Sequence, residues 1–68
     1  MGEYYIIPFE KVKEFDDKKA TLFLIAEQWK WIPDSCIGAI DVNQNVVDVK
    51  CWFCENEGLY DYSIGERD

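Results

Sequence analysis

Cys51-Trp52-Phe53-Cys54 is the one spacing in this chain with the outline of a reactive motif. Two thiols three residues apart could form a redox pair or half of a zinc site. Zinc wants four ligands, and the sequence supplies one further cysteine, Cys36, and no histidine. A site within one chain would need Cys36 and a carboxylate, and a shared site would need two chains. A thioredoxin-like role needs a βαβ scaffold that 68 residues cannot supply. The competing reading is two cysteines one turn apart on a helix, at least one of them half-buried. The lack of histidine also removes the commonest general base and the usual activator of a serine or cysteine nucleophile. Paired carboxylates remain, at Asp16-Asp17 and at Glu55 and Glu57, among polar neighbours that read as solvated. Glycosidase-type chemistry would further need a sugar-sized cleft between them. The residues therefore point away from an enzyme and call for no cofactor.

Charge is the stronger signal. Fourteen acidic residues face seven basic ones, a net charge of −7. Residues 1–30 carry six acids and five lysines, whereas residues 31–68 carry eight acids against Lys50 and Arg67 alone, a local balance of −6. A negative half of this density repels nucleic acid and anionic membranes and attracts basic partners. The candidate binding residues are Asp34, Asp41, Asp48, Glu55, Glu57 and Asp61. Glu27, Asp34, Asp41, Asp48 and Glu55 recur every seven residues. Pro33, Gly38 and the Asn43-Gln44-Asn45 turn forbid the continuous helix that would make them one stripe. On a sheet they could instead line a rim. Alternate residues on one strand face lie about 7 Å apart, a spacing suited to imitating backbone phosphates. The alternative is an ordinary solubilising surface.

The elements that must position these acids follow from pattern. Glu3 to Ile7 predicts a strand stopped by Pro8. Pro8 then suits a first helical residue, with Phe9, Val12 and Phe15 three apart on one face. The alternative there is an irregular connection through Asp16 to Lys19. Ala20 to Ile32 reads either as a helix of poor amphipathicity or as a hairpin, Ala20–Ile25 with Trp29–Ile32. The hairpin is favoured, although its turn near Ala26-Glu27-Gln28 lacks the expected glycine or asparagine. Cys36 to Val42 predicts a strand with a weak point or bulge at Gly38. After the Asn43 turn, Val46 to Lys50 predicts a strand with Val47 and Val49 on one face and Asp48 and Lys50 on the other. Cys51 to Glu57 predicts a short helix stopped by Gly58, with Leu59 closing over it. The tail is expected to fray after Ile64, over residues 65–68.

The expected fold is therefore α+β, mainly β: one domain over residues 1–68 with a small antiparallel sheet of four or five strands and one or two short helices. Hydrophobic residues make up 49% of the chain and aromatics 16%, too apolar for a disordered tail. A chain this short sits near the lower limit for a self-sufficient core, so a homodimer is expected. Trp29, Trp31, Trp52, Phe53, Tyr60 and Tyr62 could stack on bases, but the charge has the wrong sign, and core packing or a partner interface is the better reading. No segment reads as a membrane span or signal peptide. Three cysteines cannot all pair within the chain, which suits a reducing cytoplasm.

The run Trp31-Ile32-Pro33-Asp34-Ser35-Cys36-Ile37, followed by Val47-Asp48-Val49-Lys50-Cys51-Trp52-Phe53 and Gly58-Leu59, resembles a pattern in small phage and bacterial proteins. The resemblance covers about residues 19–59. It implies a hairpin, a further strand and a short Trp-Phe helix ended by Gly-Leu. The usual Asp-Gly hairpin turn is absent here, and the residue before Trp52 is Cys51. In size and charge the chain is also similar to the acidic host-takeover proteins of lytic phages. Some of those mimic DNA and occupy the binding surface of a histone-like, HU-type nucleoid protein. That similarity implies an inhibitor acting in a host cytoplasm on a basic nucleic-acid-binding protein. Two alternatives stand beside it: an adaptor or assembly subunit that binds through its aromatic surface, and a dimeric zinc or redox module using Cys51 and Cys54.

Overall fold

The computed structural model of the chain describes residues 2–68. It is mainly β, with seven short strands and one α-helix among those residues. The strands are β1 (Tyr4–Pro8), β2 (Lys11–Lys13), β3 (Ala20–Ile25), β4 (Gln28–Pro33), β5 (Ile37–Asp41), β6 (Val46–Lys50) and β7 (Gly65–Arg67). Helix α1 spans Cys51–Glu57, and 3-10 turns cover Asp34–Cys36 and Leu59–Tyr62. Two antiparallel sheets result, one ordered β5-β6-β1-β7 and the other β2-β3-β4. No helix of the described residues is long and apolar enough to cross a membrane.

The chain passes from one sheet to the other at Phe9. Its N–H donates to Asn45 O, and the next N–H, of Glu10, donates to Leu24 O. Phe9 itself turns inward and meets Phe23 edge to face at 5.2 Å between ring centroids. The two sheets thus share one core. Ile7, Val47 and Val49 enter it from the first sheet, Phe23, Ile25 and Ile32 from the second. Cys54 of α1 and Leu59 close the open end. Each large apolar side chain buried this fully contributes about 1.5–3 kcal/mol relative to exposure.

The favoured hairpin forms, with Ile25 paired to Gln28 across a two-residue loop. Ala26 and Glu27 sit at φ 51° and 66°, so this is a left-handed turn made without glycine. The predicted irregularity at Gly38 is present as a register shift between Ile37 and Ile40. A Cβ at Gly38 would come within 2.9 Å of the Tyr4 ring. Helix α1 forms as predicted and ends at Gly58, whose φ of 74° lets its N–H reach Cys54 O. No side chain caps its start; the Cys51 N–H instead donates to the O of Glu3, the residue before β1.

Two expectations are corrected. Phe9, Val12 and Phe15 do not share a helix face: Pro8 ends β1, and Lys11–Lys13 pair with Leu24–Leu22 as β2. The three-residue spacing arises because Phe9 is buried at the sheet crossing and Val12 faces inward from a strand. The tail from Gly65 is also not frayed. Gly65–Arg67 pairs with Ile6–Tyr4 as an edge strand, fixed on its outer face by an ion pair from Arg67.

Candidate interaction surface

The six acids proposed from sequence do not share one location. Asp34 opens the first 3-10 turn, where its Oδ1 accepts the Thr21 hydroxyl at 2.8 Å. Asp41 ends β5 and holds the following turn, its Oδ1 accepting the N–H groups of Asn43 at 3.0 Å and Gln44 at 3.1 Å. Asp48 lies in the middle of β6, on the outer face as expected, but it is only 7% exposed. Its carboxylate is bound by Arg67 Nε, 3.0 Å from Oδ2 and 3.2 Å from Oδ1. A buried, paired carboxylate cannot serve as a free phosphate mimic, so Asp48 is a structural residue that anchors β7.

Glu55 and Glu57 lie on α1 and Asp61 on the 3-10 turn packed beside it, at the opposite end of β6 from Asp41, but Glu55 and Glu57, two residues apart on a helix, face different ways. All three are exposed. Glu55 Oε2 accepts a long hydrogen bond from the Tyr5 hydroxyl at 3.4 Å. Glu66, absent from the sequence-derived set, joins Glu55 near Tyr5 because β7 pairs it with that residue. Desolvation raises the Tyr5 phenol above its ordinary value, and Glu55 and Glu66 add to the rise. Only a strand assignment for the tail could have signalled Glu66 beforehand. Trp52, Tyr60 and Tyr62, on the same helix and 3-10 turn, are also exposed.

The described residues form only two ion pairs, Arg67 with Asp48 and Lys50 with Glu3 at 3.7 Å. The two cations of residues 31–68 are therefore both engaged, and Glu55, Glu57, Asp61 and Glu66 have no ion-pair partner among the described residues.

The cysteines show the opposite of activation. Cys36 and Cys54 are buried, Cys51 is half-buried, and all three are free thiols. Burial pushes the Cys54 thiol up to about 12, with nearby Cys51, Cys36 and Glu55 adding to the effect. Burial also raises Cys51, helped by Glu66 and Glu55. Acids beside a thiol oppose the thiolate that redox exchange or zinc binding needs. Cys54 Sγ–H points to Val49 O at 3.8 Å and Cys51 Sγ–H to Gly2 O at 3.4 Å, as packed helix residues do. No group of three or more histidine, cysteine or acidic residues among the described residues could hold a metal ion.

A shallow groove of about 450 Å³ crosses the outer face of the larger sheet between Arg67 and the Asp41–Asn43 turn. The Asp48–Arg67 pair forms part of its lining rather than a set of converging free groups. No family model matches the chain, and neither do any of the curated proteins or solved structures compared with it.

Proposed function

We propose that this chain is a non-enzymatic binding protein that uses its acidic second half to occupy the nucleic-acid-binding surface of a basic protein. A histone-like, HU-type DNA-binding protein in a reducing cytoplasm is the partner class this reading names. The observation that carries it is the engagement of both cations of the second half in ion pairs, which leaves the exposed acids of α1, the following 3-10 turn and β7 without an ion-pair partner among the described residues. Carboxylates of this kind pair with partner lysines and arginines, and long-range attraction speeds the encounter. Trp52 and Tyr60 supply the apolar contacts that charge alone lacks. The reading is narrower than the one drawn from sequence: it rests on Glu55, Glu57, Asp61 and Glu66, with Asp34 and Asp41 peripheral and Asp48 excluded.

Charge reversal tests it. The Glu55→Lys, Glu57→Lys, Asp61→Lys triple variant should lose at least tenfold in affinity for an HU-type protein while its circular dichroism stays unchanged. Tight binding retained by that variant would place the interface elsewhere.

A further inference from the structure

The outer face of the β2-β3-β4 sheet has a composition unlike the rest of the molecule. No aspartate or glutamate occurs in any of its three strands. Antiparallel register aligns its outward residues in two cross-strand rows, Lys11–Leu24–Trp29 and Lys13–Leu22–Trp31. Each row runs from a cation at one edge, through an aliphatic centre, to an indole at the other. Trp29 and Trp31 are 44% and 48% exposed, although Phe23, Ile25 and Ile32 on the inward side are fully buried. Lysine–indole contact already occurs on this face. Lys13 Nζ lies 4.9 Å from the Trp29 ring centroid, and Lys18 Nζ lies 5.9 Å from that of Trp31.

We infer that this face binds a second copy of the same chain in a two-fold dimer. The row order makes the face self-complementary under one orientation of the axis. A two-fold lying in the interface and parallel to β3 sets each copy's β2 edge against its partner's β4 edge. Lys11 and Lys13 then meet the Trp29 and Trp31 rings, and the leucines meet in the middle. A two-fold perpendicular to the strands would instead oppose lysine to lysine. The acidic group around Glu55 belongs to α1 and the other sheet, so the dimer keeps it uncovered. Repulsion between the two copies' net charge is screened beyond about 10 Å at 0.1 M salt. A single-stranded nucleic acid is the competing occupant, since it could stack on the same rings. The chain's charge of −7 opposes any polyanion over its whole length. Six-residue strands give the face a length of only about 20 Å, at the small end for a specific interface, so the dimer should dissociate in the micromolar range.

Sedimentation velocity from low micromolar to millimolar concentration decides the matter. The expected result is conversion of the 8.0 kDa chain to a species of twice that mass, favoured by raising the salt. Two separate double variants, Trp29→Ala with Trp31→Ala and Lys11→Glu with Lys13→Glu, should each raise the dissociation constant at least about tenfold. Both lysines are exposed and neither enters the core, so they report even if the tryptophan pair perturbs folding. A mass of 8.0 kDa at every concentration, or a dimer indifferent to the lysine variant, would overturn the inference. So would a monomer whose tryptophan fluorescence is quenched by a single-stranded oligonucleotide at low salt and not at high salt, which would assign the face to nucleic acid.

Discussion

Asp48 and Cys54 show how burial decides what a chemically capable side chain does. Asp48 is withdrawn from the surface and bound by Arg67, whose own side chain is 57% exposed. Removing the arginine takes away the one charged partner of a carboxylate that is only 10% exposed. Arg67→Ala should therefore lower stability by about 1–3 kcal/mol, read from the urea midpoint at unchanged slope. Glu3→Ala breaks the exposed pair with Lys50 and should cost less than about 1 kcal/mol. Equal losses in the two variants would remove the structural role given to Asp48. Cys54 makes a pH prediction. The unfolded chain releases this thiol's proton near pH 9, whereas the folded chain holds it to about 12. In that window the folded state binds more protons, so stability falls as pH rises from about 9 toward 12. Thermal melts across the accessible part of this range should show that decline, and Cys54→Ala should make it shallower. Parallel slopes for the two proteins would deny the thiol its share.

The β3–β4 hairpin folds despite its turn rather than because of it. Ala26 and Glu27 both occupy left-handed backbone geometry, at a cost of about 1–2 kcal/mol per residue with a side chain. The six-residue ladder and the inward burial of Phe23, Ile25 and Ile32 offset that cost. Ala26→Asn with Glu27→Gly should raise stability by about 1 kcal/mol or more, measured by urea denaturation. A loss of stability would mean that the turn is not of this type. The same hairpin shows what the sequence could reveal. The two strands of the hairpin, the Val46–Lys50 strand and the Gly58 helix end are local signals, and they read correctly. Strands β2 and β7 are three residues each and owe their existence to distant partners. Lys-Val-Lys is too short to display a period, and Gly65–Arg67 is recognisable only beside β1. Missing β7 hid Glu66 and gave Asp48 a free carboxylate that Arg67 in fact holds.

Across the whole molecule, the first half's lysines and the second half's acids are divided between two sheets and a helix. The β2-β3-β4 sheet carries the acid-free lysine–tryptophan face, and α1 with its neighbours carries the unpaired acids around Tyr5. The cysteine motif, the most reactive-looking feature of the sequence, becomes packing that seats α1 against β1 and β6. If the proposed function holds, the acidic second half competes with DNA for a basic protein. Titrating the chain into a preformed complex of an HU-type protein with fluorescently labelled duplex, at two salt concentrations, tests it most directly. The wild-type chain should release the DNA at low salt with a midpoint that weakens as salt rises, and the Glu55→Lys, Glu57→Lys, Asp61→Lys variant should release none. A duplex that stays bound at low salt, or is released equally by the charge-reversed variant, would contradict it.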